Sequence, residues 1–159
     1  MQLYNSLSQQ LEDFTPHNNQ VTIYVCGITP YDTTHLGHAF TYHTFDVLIR
    51  YLESQGVKVV YTQNVTDIDD DILKRAKRDG KNWHDLGSEW TAHFIEDMRA
   101  LNMRPPDYYP RATEVIPEIV ATDQTLIANG HAYASNGNVY FDVDKFKEFG
   151  ELSHIPRDE

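Results

Sequence analysis

Tyr24-Val-Cys-Gly-Ile-Thr-Pro-Tyr-Asp-Thr-Thr-His-Leu-Gly-His38 decides how this chain is read. β-Branched Val21, Ile23 and Val25 alternate into it, so it opens as a strand running from about Val21 to Gly27. A short turn-forming segment with Pro30 follows, and His35-Leu36-Gly37-His38 then begins an apolar stretch that reads as a helix. The result is a strand, a loop and a helix start, carrying two imidazoles around a glycine and a cysteine at the strand's end. Free amides at a helix N-terminus attract phosphate, and a glycine between two histidines lets a nucleotide lie close to the backbone. The pattern points to a nucleotide-binding, adenylate-forming site with a thiolate ligand beside it.

Outward from this stretch, Thr41, Phe45, Leu48, Ile49 and Leu52 recur at helical spacing and predict a core-facing stripe on a helix from about His38 to Gln55. Gly56 stands where a left-handed cap would stop it. Val57 to Asn64 reads as a second, largely buried strand. Strand, helix and strand at this spacing imply a right-handed crossover and a parallel pair, hence an α/β fold. Ligands of such sheets bind beyond the carboxyl ends of the strands. Cys26-Gly27 and Asn64-Val65-Thr66 both fall there, so two sequence signals converge on one place.

Downstream the pattern is helical. A helix from Asp69 to Arg78 stops at Asp79-Gly80, and Asn82 caps a longer one with Trp83, Leu86, Trp90, Phe94 and Leu101 on one face. Arg104-Pro-Pro-Asp107 breaks that helix, and another runs from about Thr113 to Asn129, with Gly130 as its stop. Asn136-Gly137 between two short apolar runs predicts a hairpin with a primed turn. The tail Ser153–Glu159 shows no element of its own.

At 159 residues, with 40% hydrophobic and 12% aromatic content, one substantial core is expected, with a hairpin appended. The net charge of −11 is unfavourable for a surface whose main task is gripping a nucleic-acid backbone. Any polynucleotide partner should therefore be held mostly outside these residues. One cysteine excludes an internal disulfide and favours a reducing compartment. With no signal-like start and no membrane-length apolar run, a cytoplasmic protein is expected.

His35 and His38 at a helix start could stabilise charge developing on an α-phosphate during in-line attack. A plain helix beginning His-Leu-Gly-His is the competing reading, and the strand and Cys-Gly-Ile-Thr before it weigh against that. A lone cysteine is more often a small core residue than a ligand. A zinc site needs three or four protein ligands, so partners of Cys26 would have to come from elsewhere. Asp69, Asp70 and Asp71 read equally well as acids complementing a helix start. Asn64 and Thr66 are the stronger candidates at the second strand's exit. His17, His43, His84, His93, His131 and His154 show no metal spacing.

Tyr24-Val-Cys-Gly-Ile-Thr-Pro-Tyr-Asp, His35-Leu-Gly-His38 and Asn64-Val-Thr-Asp-Ile-Asp-Asp70 together resemble the cysteine-activating branch of the class I aminoacyl-tRNA synthetases. That branch includes the cysteine-specific tRNA enzymes and a related ligase that joins cysteine to glucosaminyl-inositol in mycothiol synthesis. The resemblance covers nearly the whole chain. It implies a Rossmann-type catalytic domain whose first half spans residues 1–106, with a connective insertion beginning in 107–159. It implies ATP bound by Ile28, Thr29, His35, Gly37, His38 and Thr41, with His35 and His38 catalytic. Cysteine would be bound by Cys26, Gly27, Asn64, Val65 and Thr66, with zinc on Cys26 and magnesium accompanying ATP. The implied chemistry is attack of the cysteine carboxylate on ATP, then transfer to tRNA as the leading acceptor or glucosaminyl-inositol as the alternative. A Lys-Met-Ser-Lys-Ser-like loop, further zinc ligands and an anticodon-binding domain would belong to a second half, so a fragment or truncated relative is expected. Ala39-Phe-Thr-Tyr42, Pro30 and Glu96–Leu101 lean toward the mycothiol-pathway ligase. A reading of another class is a non-catalytic paralogue that binds ATP or an adenylate.

Overall fold

The computed structural model describes residues 1–155. In chain order its elements are β1 (Gln2–Asn5), β2 (Gln10–Asp13), β3 (Gln20–Ile28), α1 (Leu36–Ser54), β4 (Lys58–Val65), α2 (Asp70–Asp79), α3 (Trp83–Ala100), α4 (Ile116–Ala128), β5 (Ala132–Ser135) and β6 (Asn138–Phe141). They fall into two compact units, one of Pro16–Val115 and one of Met1–Thr15 with the chain from Ile116 on. Among the described residues no helix is long and apolar enough to cross a membrane.

The Pro16–Val115 unit is α/β. β3 and β4 pair in parallel from Gln20↔Lys58 to Val25↔Gln63, as strand–helix–strand spacing predicts. The register then shifts, and Ile28 pairs with Val65. By strict alternation Ile28 would face away from Val25; the irregularity turns it inward, and both are buried. Along β4, Val59, Tyr61, Gln63 and Val65 are buried at a period of two. Beyond β4, Tyr108 and Arg111 bridge in parallel to Thr62 and Val65, so residues 107–111 follow its other edge.

The buried side of α1 differs from the predicted stripe. Tyr42, Asp46, Ile49 and Leu52 are buried, whereas Thr41 is exposed and Phe45 only partly covered. The polar pair goes inside because both groups find partners. Tyr42 Oη donates to the carbonyl of Cys26 at 3.2 Å. Asp46 accepts from Arg50 Nε at 2.8 Å and from the Arg104 amide at 2.7 Å. Burying Ile49 and Leu52 contributes about 1.5–3 kcal/mol each.

Asp69 caps α2 through the Asp71 amide, and Gly80 ends it at φ 65°. Asn82 caps α3 as predicted, accepting from the amides of His84 and Asp85. Ile72, Ala76 and Leu86 form a core packed by Trp83 and Trp90. Leu101, predicted on the buried face of α3, lies past the helix end and is 52% exposed.

In the other unit β1 and β2 form an antiparallel hairpin that the sequence reading did not anticipate. Its strands are four residues each, too short for alternation to stand out. β5 and β6 form the predicted hairpin, with Asn136 and Gly137 both at positive φ (52° and 81°). α4 begins at Ile116 rather than Thr113, after a 3-10 turn over Ala112–Val115. Pro156–Glu159, part of the tail read as lacking structure, lie outside the described residues.

Candidate active site

The carboxyl ends of β3 and β4 are tied together by one side chain. Asn64 Oδ1 accepts from the Gly27 amide at 2.7 Å and from Tyr24 Oη at 2.9 Å, while its Nδ2 donates to Thr66 Oγ1 at 3.3 Å. The Thr66 amide donates to the carbonyl of Ile28 at 2.9 Å. The strands approach so closely here that a Cβ on Gly27 would lie 1.5 Å from the Asn64 carbonyl oxygen. Glycine at this position is a requirement of close approach.

Cys26 is a free, exposed thiol on the same face as exposed Tyr24. The Tyr24 hydroxyl is held above the usual phenol range, first by desolvation and then by the neighbouring Cys26. Burial pushes the Tyr42 phenol up to about 12, so it stays protonated and keeps donating to the Cys26 carbonyl.

At the start of α1 the two imidazoles do the capping. His35 Nδ1 accepts from the Gly37 amide at 3.1 Å, and His38 Nδ1 accepts from the His35 amide at 3.4 Å. Each neutral ring therefore carries its proton on Nε2, which leaves two N–H donors for a ligand. The rings stack with centroids 4.0 Å apart and planes inclined by 20°. His38 is held below the ordinary imidazole range by burial first and by His35 second. First-turn amides expected to bind phosphate are thus partly taken by the imidazoles.

Both rings line a cleft of about 570 Å³ together with Gly27, Ile28, Thr29, Tyr31, Asp32, Thr33, Asp69 and Asp71. That volume lies within the usual range of small-ligand sites. The structure therefore brings Gly27, Ile28, Thr29, His35 and His38 to one opening. Cys26, Gly37, Asn64 and Thr66 support the strand ends and helix start beside it. Thr41 is exposed and donates to the Gly37 carbonyl at 3.1 Å within its own helix. Val65 is fully buried, backbone included, and its amide donates to the Pro110 carbonyl at 2.9 Å.

Sequence reasoning missed Tyr31, Asp32 and Thr33 as wall residues, and treated Asp69 and Asp71 as equally explained by helix capping. The Asp32 carboxylate, held below its ordinary range first by the Thr33 amide and then by Arg75, pairs with Arg75 at 2.7 Å and fastens the loop to α2. No local pattern announces that contact across 43 positions. A second long-range tie is at buried Asp67, which accepts from the Thr113 amide at 3.0 Å and from its hydroxyl at 2.6 Å.

A family model described as the class I (C) tRNA synthetase catalytic domain matches residues 13–159. The chain is 50% identical over 154 residues to a cysteine–tRNA ligase of Thermosynechococcus vestitus, covering 96% of this chain and 32% of that protein. It is 47% identical over 160 residues to a cysteine–tRNA ligase of Thermococcus onnurineus, covering 100% of this chain and 34% of that protein. A cysteine–tRNA ligase of Metallosphaera sedula is 44% identical over 160 residues, with the same coverage. The chain spans about a third of the length of these curated relatives.

Proposed function

The chain belongs to the class I tRNA synthetase (C) catalytic-domain family, and on that premise we propose that it is the nucleotide-binding portion of a cytoplasmic ligase that activates L-cysteine with ATP and transfers it to tRNA. One observation carries this reading: two stacked imidazoles with free Nε2–H donors share a cleft with Gly27, Ile28 and Thr29. Residues 1–106 are the first half of the catalytic domain in this proposal, and 107–159 begin the connective insertion. Within that insertion, Tyr108 and Arg111 still follow the β4 edge.

ATP would lie with its α-phosphate against the two Nε2–H donors. The cysteine carboxylate oxygen attacks the α-phosphorus, the bond to the bridging oxygen breaks, and pyrophosphate leaves with that electron pair. Negative charge grows on the α-phosphate oxygens during this displacement, and two preorganised donors stabilise it more than they stabilise the ground state. The tRNA 3′-terminal hydroxyl then attacks the mixed anhydride, and AMP leaves. Tyr42, bonded to the Cys26 carbonyl, and Asn64, bonded to the Gly27 amide, fix the wall on which the adenylate would rest.

Asp32, Asp69 and Asp71 on the cleft wall would repel a bare triphosphate. Among the described residues no group of three or more His, Cys, Asp or Glu side chains could hold a metal ion. Magnesium accompanying ATP would screen those charges. Cys26 at the strand exit supports a thiolate-ligand role, but this single donor does not complete a zinc site, and no step here runs through zinc.

The test is cysteine-dependent ATP–pyrophosphate exchange by the polypeptide that carries this chain together with the remaining length of its relatives. His38→Ala should lower the exchange rate by on the order of 10²-fold or more. An unchanged rate would remove His38 from the chemistry. The 159-residue chain by itself should show ATP-induced amide shifts at Gly27–Thr29 and His35–His38 with little or no exchange.

A further inference from the structure

Within the Pro16–Val115 unit, α1, β4, α3 and the segment after α3 border a second, partly open cavity of about 280 Å³ that shares no lining residue with the cleft at His35 and His38. Most of its wall is apolar: Phe94, Ile95, Met98, Met103, Pro105 and Pro106. Among the described residues, two that line it each carry a buried polar atom with no hydrogen-bond partner, Gln63 Nε2 and Tyr109 Oη. Gln63 is only 4% exposed, and its Oε1 accepts from Tyr61 Oη at 2.7 Å. Turning the carboxamide over would strand the oxygen instead, so one polar atom lacks a partner in either orientation. Buried polar groups in folded proteins are overwhelmingly partnered, so two orphans on one void call for an occupant.

We propose that this cavity binds a neutral, mainly apolar small molecule carrying a hydrogen-bond acceptor for Gln63 Nε2 and a polar group for Tyr109 Oη, of the carboxamide class. Neutrality follows from the charges around the void. Asp46 is already satisfied by Arg50 and the Arg104 amide, and the Arg104 side chain is engaged by Glu53 and Asp107. Arg99 at the lining is solvent-exposed. No buried charge is left to recruit an ion. Size follows from the volume: an apolar cavity of about 150 Å³ suffices for benzene, so about 280 Å³ admits an aromatic ring with a polar substituent. Met98 and Met103, unbranched and polarizable, suit a wall that adapts to such a ring.

The probes are benzamide and toluene, which share a ring and differ in the carboxamide, titrated into the 159-residue chain by amide-resolved NMR. Both should bind saturably, with shifts at the Gln63 side-chain amide and at Phe94 and Met98. Tyr109→Phe removes only an unpartnered hydroxyl, so the variant should fold. It should weaken benzamide about three- to tenfold while leaving toluene within about twofold. Absence of saturable binding, shifts centred away from the cavity, or equal benzamide affinity in Tyr109→Phe would overturn the proposal. So would a crystal structure grown with benzamide in which ordered waters, or a side chain of a longer form of the polypeptide, occupy both polar atoms.

Discussion

Replacing Gly27 by alanine would put a methyl carbon 1.5 Å from the Asn64 carbonyl oxygen and 2.5 Å from its carbonyl carbon. Both are backbone atoms of the paired strand, so no side-chain rotation relieves the clash. Restoring even a 3.0 Å contact requires β3 and β4 to part by about 1.5 Å at this point, the difference between those two distances. That displacement breaks the hydrogen bond from the Gly27 N–H to Asn64 Oδ1 (2.7 Å) and strains the one from the Thr66 N–H to the Ile28 carbonyl (2.9 Å). Each lost bond costs about 1 kcal/mol net, and more where a buried group is stranded. Overpacking adds about 1–3 kcal/mol. The sum is about 2–4 kcal/mol, a large share of the 5–15 kcal/mol typical of a domain. Urea unfolding followed by tryptophan fluorescence reads it directly, because Trp83 and Trp90 both lie on α3 of this unit. A Gly27→Ala chain within about 1 kcal/mol of the parent would refute the close-approach argument and the strand-exit geometry built on it.

Gly37→Ala should behave differently. Its Cβ would meet the His35 ring at 2.9–3.0 Å, the far end of a side chain that can swing away. The lost cap, about 0.5–2 kcal/mol, is offset by the helix propensity gained over glycine, about 1 kcal/mol, so stability should hardly move. The stacked pair should open, and ATP-induced shifts at His35 and His38 should disappear; retained shifts would show that stacking is dispensable. Stability should also fall on acidification. His38 titrates below the ordinary imidazole value when folded, so between the two values the unfolded chain binds more protons, and stability is lost as pH drops through that window. Thermal midpoints from pH 7 to pH 5, compared with His38→Gln, check this, and equal pH slopes would contradict it. Asp67→Asn places an amide against the Thr113 hydroxyl and should cost about 1–3 kcal/mol by urea midpoint. A neutral result would mean the tie carries no stability.

Local chemistry made much of this chain readable in advance. Alternation at Val21, Ile23 and Val25, glycine at 80, Asn82 as a cap and Asn136-Gly137 as a turn all act over a few residues, and the structure has strands, stops and turns there. The convergence of Gly27 and Asn64 on one strand edge was also legible, because a parallel pair with a helical crossover places both exits together. Tertiary structure alone decided the rest. Which side of α1 turned inward depended on distant partners for Tyr42 and Asp46, since a polar group enters a core only where its hydrogen bonds are met. Asp32 against Arg75, Asp67 against Thr113, and the two unpartnered atoms on the second cavity are likewise products of chain segments far apart in sequence. Such contacts leave no periodic trace, because their energy arises only after the intervening backbone has been placed.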